Sequence, residues 1–410
     1  MKNPANTKKH WIVLAAICLM VGSSIGLLVN ANGVFYTPMS RDLNLLRGSV
    51  ALHGTFLSLS TAFGSLTVPA VHERFGWKKT IFFGAFLGAI GTAFMAIATN
   101  AFWIYLFGII RGIGSAYFSM VPMTMIVNQW FHEKNGLAIG FASGTSGIFG
   151  GLAAPILATI IESSGWRIAF IVKGLAVFAL ALPALLIPYA YRPKDEGLRP
   201  YGYKPEKDGD RKVRRPITMD TEGAKITFYA VMVVGLLNTM IVFINSHLPG
   251  HGEEVGLSLE TASFTLSAVM LGNLLSKLSF GIISDKIGTV KTSLGMITLS
   301  TISLIMLIFS RDPLILIIGS FLFGAIFSVG GVALPLFSTE FFGPATGVKV
   351  YSRVNFIASV GGALSVSLVG YIYDFTGSYI PAFVMALIFN VVNVAAIFIA
   401  QRNQPVKNDS

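Results

Sequence analysis

The 410-residue chain is short of cysteine, of charge and, in its apolar stretches, of acid. It has one cysteine, Cys18, so an internal disulfide framework is excluded. Charged residues are 12% of the chain, about half the share of a soluble globular domain. That leaves too little charged coat to keep the chain dispersed in water. An apolar fraction of 53% also excludes intrinsic disorder. His72-Glu73 and His132-Glu133 begin like a zinc-hydrolase helix, but Gly76 and Gly136 stand where its second histidine belongs. There is no phosphate-binding Gly-x-x-x-x-Gly-Lys-Ser/Thr run, and no nucleophile and base cluster at a lipid interface. No metal, no cofactor, no catalytic residue and no enzymatic activity are expected.

What is present is a series of long apolar runs. Roughly 20 mostly apolar residues suffice to cross a bilayer as a helix. Twelve runs qualify: 11–37, 48–71, 80–99, 102–128, 136–161, 167–190, 225–248, 260–284, 291–309, 313–337, 347–373 and 379–401, numbered here as spans 1 to 12. The formal charge of +11 follows from topology. With the N-terminus inside, 22 Lys/Arg fall in cytoplasmic segments and four, Arg41, Arg47, Arg167 and Arg311, outside. The expectation is a multi-pass protein of the cytoplasmic (inner) membrane with both termini cytoplasmic and no nucleic-acid partner. Segment 191–224 carries nine Lys/Arg and seven Asp/Glu and reads as a solvated linker. The expected domains are therefore 1–190, a six-helix bundle; 191–224, a cytoplasmic linker; and 225–410, a second six-helix bundle.

The halves repeat. Pro69-Ala-Val-His-Glu73-Arg74-Phe-Gly76-Trp-Lys78-Lys79 follows span 2, and Gly281-Ile-Ile-Ser-Asp285-Lys286-Ile-Gly288-Thr-Val-Lys291 follows span 8. Glu73 and Asp285 are 212 residues apart, as are Gly76 and Gly288; Gly136 and Gly347 are 211 apart. A near-constant offset marks a duplicated six-helix unit. An acid, a base and a glycine in a short cytoplasmic turn suit conformational gating, so Glu73, Arg74, Gly76, Gly281, Asp285, Lys286 and Gly288 are the gating candidates.

These loops resemble the signature between helices 2 and 3, and 8 and 9, of the major facilitator superfamily, Gly-x-x-x-Asp-Arg/Lys-x-Gly-Arg/Lys-Arg/Lys. The second copy fits; the first departs at Pro69 and Glu73. The resemblance implies an all-α membrane protein of twelve transmembrane helices in two pseudo-symmetric six-helix bundles, moving a solute by alternating access.

An ionisable residue within a span marks a functional site by default. Four basic residues qualify: Arg111, Lys173, Lys277 and Arg353. With no acid at that depth, an anionic substrate would be their counter-charge. Lys173 lies about two turns from the outer end of span 6, within reach of the interface by snorkelling. Arg111 in Arg111-Gly-Ile-Gly114 resembles an arginine that many superfamily members carry in helix 4. It shares a helical face with Ser115, Phe118 and Pro122, and either binds substrate or holds backbone carbonyls. Lys277 and Arg353 lie on helices that the resemblance places along the central path. Around them the sequence is similar to the monocarboxylate porters and oxalate–formate antiporters. Lys277 and Asn273, four apart with Gly281 beyond, take the places of an arginine and an aspartate, and Arg353 falls near a lysine. Trp130-Phe131-His-Glu-Lys-Asn-Gly136-Leu-Ala-Ile-Gly140 and Gly33-Val34-Phe35 also match that family's pattern. The departure at Asn273 removes the family's acid.

The implied function is secondary active transport of a small mono- or dicarboxylate such as lactate, pyruvate, formate or oxalate, by proton symport or anion exchange. The alternative is a proton-coupled exporter of drugs or other organic solutes. Asn30, Asn238, Asn245 and His247 are further candidate ligands, and His53 is the candidate for proton coupling. The expected partners are the carboxylate, protons and the bilayer, with the chain acting as a monomer. Glycines at 136, 140, 144, 147, 150 and 151 form a seam for close helix packing.

Overall fold

In a computed structural model of the chain, residues 7–203 and 221–405 are described. The described residues are helical throughout, with no strand and a single isolated bridge between Phe131 and Tyr201. Among the described residues, eleven helices are long and apolar enough to cross a membrane. The fifth, Asn135–Leu186, has 52 residues. At about 1.5 Å per residue that is more than twice a bilayer core. It breaks at Gly165, where φ is +83° and ψ is 160°, so spans 5 and 6 are separate crossings and the expected twelve are recovered. Spans 10 and 11 are likewise parted at Gly343 (φ +75°).

The chain divides into two compact units, Met1–Leu45 with Leu52–Asp210, and Leu46–Ala51 with Arg211–Ser410. Lipid tails are as apolar as leucine side chains, so helices in a bilayer associate through close packing and hydrogen bonds rather than through the hydrophobic effect. In the first unit span 5 seats against span 1: a Cβ on Gly150 would lie 2.8 Å from Asn30 Cβ, and one on Gly26 would lie 2.9 Å from the Ser146 carbonyl. The expected glycine seam is real at Gly150, but Gly136 and Gly140 have nothing within 4 Å of a Cβ position. In the second unit Gly272 of span 8 lies directly on the Phe321 carbonyl, and a Cβ on Gly324 would meet Gly272 Cα at 2.6 Å. Within that unit the Asp374 carboxylate accepts the backbone amides of Arg47 and Gly48 at 2.9 and 2.7 Å. The Arg47 guanidinium lies 3.8 Å from the Tyr373 ring centroid and donates to the Tyr379 hydroxyl at 2.9 Å.

The expected linker differs at its start. Residues 204–220 lie outside the described residues, but 187–203 are docked on one end of the first unit while the side chains of Arg192, Lys194, Asp195 and Arg199 stay exposed. The Tyr201 carbonyl accepts the amides of His132 and Glu133 at 3.0 and 3.1 Å, and its amide donates to the Trp130 carbonyl at 2.8 Å. Trp130 Nε1 donates to the Ala190 carbonyl at 3.1 Å and Lys78 Nζ to the Ile187 carbonyl at 3.2 Å. Lys9 and Glu196 form an ion pair at 2.6 Å. The Tyr191 ring packs against His72 at 4.3 Å, and burial pushes its phenol pKa up. The polar composition reflects docked backbone and ring contacts as well as solvation.

Candidate functional site

In the second unit the site is organised by an irregular span 10. Its helix Pro313–Phe323 ends at a Gly324–Ala325 turn, resumes over Ile326–Ser328, passes through a π-helical stretch Val329–Ala333 and continues from Leu334. Such a stretch frees backbone groups that must find partners in a lipid-enclosed bundle. Asn238 of span 7 supplies them: with its amide oriented to suit its neighbours, the nitrogen donates to the Ile326 carbonyl at 3.3 Å and the oxygen accepts the Gly330 amide at 3.2 Å. Next in sequence, Gly331 faces Lys277, and a Cβ there would stand 3.0 Å from Lys277 Cε. The absent side chain is what admits the lysine stem.

Lys277 is half-buried, and its ammonium lies 6.0 Å from the Phe327 ring centroid. Among the described residues it forms no hydrogen bond or ion pair. One helical turn earlier Asn273 is buried, and its Oδ1 has no hydrogen-bond partner. The structure thus brings Asn238, Asn273 and Lys277 to one stretch of span 10. Arg353 is exposed on span 11 and no hydrogen bond joins it to that group. Asn245 is buried in the turn Ile244–His247. His247 Nε2 lies 2.7 Å from the Val366 carbonyl, with its ring 5.6 Å from that of Tyr379. Asn238 and His247 therefore hold backbone, which is the helix-to-helix role such groups often have.

The first unit contains a tighter arrangement. Span 1 is helical over Thr7–Val21, then π-helical over Gly22–Leu27 and 3-10 over Asn30–Phe35, with Ala31 out of helical geometry at φ −87°, ψ 26°. The break releases carbonyls, and two cations take them. Arg111 Nη2 donates to the Leu28 carbonyl at 2.8 Å and to Asn32 Oδ1 at 2.9 Å. Lys173 Nζ donates to the same Asn32 Oδ1 at 2.7 Å and to the Ala31 carbonyl at 3.3 Å. Arg111 is 0% exposed and Lys173 1%.

Two expectations change here. Lys173 does not snorkel: its head is drawn inward by Asn32 and the Ala31 carbonyl. The helical face assigned to Arg111 stops at Ser115, because the helix ends at Ala116 and a new one begins at Met120; Phe118 and Pro122 lie beyond the break. Asn32 is the residue that sequence reasoning passed over. Its signal was the string Asn30-Ala31-Asn32-Gly33, whose residue types favour a helix break at the depth where two cations needed acceptors. Asn30, by contrast, donates to the Ser146 carbonyl at 3.3 Å. His53 is fully buried with its ring 5.7 Å from that of Tyr36.

The repeated loops are alike in backbone. Gly76 has φ +82° and ψ 156°, and Gly288 has φ +87° and ψ 156°, a region open essentially to glycine alone. Glu73, Arg74, Asp285 and Lys286 are exposed and form no ion pair among the described residues, while Gly281 sits on the half-buried side of its helix. Beside the second loop, Thr289 Oγ1 donates to Glu340 at 2.5 Å.

Comparison with known proteins agrees with this architecture. The sequence matches the Major Facilitator Superfamily over residues 12–244 and 223–410. It is 25% identical to monocarboxylate transporter 13 of Rattus norvegicus over 92% of this chain and 85% of that protein. It is 26% identical to the sialic acid transporter NanX of Escherichia coli strain K12 over 87% of this chain and 86% of that protein. In fold it resembles a bacterial homolog of the human lysosomal transporter Spinster, in an inward-facing and unoccupied conformation. The TM-score is 0.73 at 16% identity, covering 98% of each chain. With matches spanning both halves and a helical membrane architecture to suit, the chain belongs to the Major Facilitator Superfamily of transporters.

Proposed function

We propose that this transporter moves a small organic anion bearing a carboxylate across the cytoplasmic membrane, with Lys277 as its principal contact. The observation that carries the reading is the state of Lys277. An ammonium inside a membrane-spanning bundle, without an acid or a hydrogen-bond acceptor among the described residues, lacks a counter-charge. A substrate carboxylate is the group that would supply one. Asn273, one turn away with its Oδ1 unsatisfied, is suited to accept a hydrogen bond from the ligand, such as from a hydroxyl group. Arg353 is the proposed second cation, offering a bidentate fork that lysine lacks. Asn30 and Asn245 stand behind these as minor ligands, and His53 as the coupling group.

The relatives support the class. One is named for monocarboxylates and another for sialic acid, a sugar acid carrying one carboxylate. Transport by alternating access, as proton symport or anion exchange, completes the proposal, with the loops around Gly76 and Gly288 as gates and both termini in the cytoplasm.

The test is a flux panel on purified protein in proteoliposomes. Labelled lactate, pyruvate, formate, oxalate and sialic acid are offered with and without a pH gradient and with and without internal counter-substrate. Uptake of at least one anion is expected. Stimulation by an inward proton gradient identifies symport, and stimulation by internal anion identifies exchange. No uptake of any anion under any condition removes the proposal, and export of an organic cation in the same vesicles would favour a drug exporter.

A further inference from the structure

We propose that Arg111 and Lys173 in the first unit hold a small monovalent anion. Both side chains are buried to within 1%, and they converge on a single oxygen, Asn32 Oδ1. Every acceptor they use there is neutral: the Leu28 carbonyl, the Ala31 carbonyl and the Asn32 amide. Carbonyl dipoles soften two like charges but do not cancel them. Asp42, just beyond span 1, is taken by Arg167 at 2.5 Å and by Trp166 Nε1 at 3.1 Å.

The arrangement also leaves donors unused. Arg111 Nε and Nη1 are both buried and both lack a hydrogen-bond partner. Unsatisfied guanidinium nitrogens at this depth are rare unless something fills them. The surroundings are apolar and aromatic. Phe35 and Phe170 stack at 4.0 Å, with Lys173 Nζ 4.9 Å from the Phe35 centroid and Arg111 Cζ 5.7 Å from that of Phe170. Such walls exclude water and strengthen the attraction of the cations for an anion. A compact charge fits this description: an inorganic halide, or the carboxylate group of a transported acid. In either case the anion would neutralise the break in span 1.

The inference stands apart from the reading of Lys277, and its test separates the two. Purified protein in detergent is placed in sodium isethionate at constant ionic strength, and Tm is followed while isethionate is replaced by bromide in one arm and lactate in the other. A saturable rise in Tm is expected in at least one arm, because a ligand that binds only the folded state stabilises it. A rise with bromide assigns the site to a halide, and a rise with lactate alone assigns it to the carboxylate only where Lys277→Gln keeps the rise and Lys173→Gln removes it.

Lys173→Gln should weaken the response by about tenfold or more in concentration, while Lys277→Gln should leave the bromide response in place. Asn32→Asp guards against loss of folding. It keeps the side-chain shape but supplies an internal counter-charge, so it should raise Tm in isethionate and abolish the anion response. No saturable rise in the wild type with either anion overturns the proposal. So does a response that Lys173→Gln and Asn32→Asp leave unchanged. Failure of carboxylate flux with an intact bromide response would reject the Lys277 reading and keep this one.

Discussion

The two units place their intramembrane cations in opposite circumstances. In the first, Arg111 and Lys173 are tied to a broken helix through Asn32 and two carbonyls. In the second, Lys277 points past a glycine with no tie among the described residues. Both units break a helix near the cations, span 1 in one and span 10 in the other. In the second unit, though, the freed backbone groups are satisfied by a neutral residue, Asn238. Assigning backbone repair to an amide leaves the lysine available for a ligand. The comparison teaches that what a charge inside a membrane can bind depends on which donors the protein has left unused: Lys277 keeps its own among the described residues, and Arg111 keeps only Nε and Nη1.

Substitutions sharpen that contrast. The largest effect is expected at Lys277. Removing one partner of a desolvated charge pair costs about 2–5 kcal/mol, so Lys277→Gln should weaken substrate affinity by tens to thousands of fold in a flux assay. Its Tm should stay near that of the wild type, because no protein partner is orphaned. A large Tm loss without a flux defect would erase the distinction between the units.

Asn32→Leu should behave the other way. It strips both cations of a shared acceptor, and each donor left unsatisfied costs about 1–3 kcal/mol. The expected outcome is a clear fall in Tm. Gly331→Ala comes next. Its Cβ would meet only the mobile end of Lys277, at 3.0 Å, so folding should survive. Displacing the ammonium should raise KM by about fivefold, equivalent to ~1 kcal/mol. Gly272→Ala is the control, since it drives a methyl group into the Phe321 backbone and should prevent folding. The smallest effect is expected at Glu196→Gln. The Lys9–Glu196 pair is partly exposed and such pairs contribute about 0.2–1 kcal/mol, so Tm should barely move and flux should not change.

Much of this was legible in the residues themselves. Long apolar runs, the bias of Lys and Arg between them, and the loop repeat at Gly76 and Gly288 were enough to read the fold. The positive φ at both glycines explains why that residue recurs. The boundary between spans 5 and 6 was visible in the hydropathy dip at 162–167, although the backbone runs nearly unbroken through it until Gly165. The four intramembrane cations were equally plain. What distinguishes them was not, because it depends on which helix breaks. Periodicity assumes a continuous helix, so it put Arg111 on a face with Phe118 and Pro122 that a turn at 117–119 removes. It also offered no reason to prefer Asn32 over Asn30, since two positions along an unbroken helix point in very different directions. The start of the linker was legible only in part. Its charges read as solvation, whereas its docking at 187–203 rests mainly on backbone carbonyls and rings that composition does not reveal.

The central claim is that Lys277 receives a carboxylate. It is tested most directly by counterflow of labelled carboxylate into proteoliposomes loaded with the same unlabelled anion, comparing the wild type with Lys277→Gln and Lys277→Arg at matched protein content and Tm. The expected result is exchange in the wild type, loss in Lys277→Gln and at least partial recovery in Lys277→Arg. Undiminished counterflow in Lys277→Gln would contradict the account.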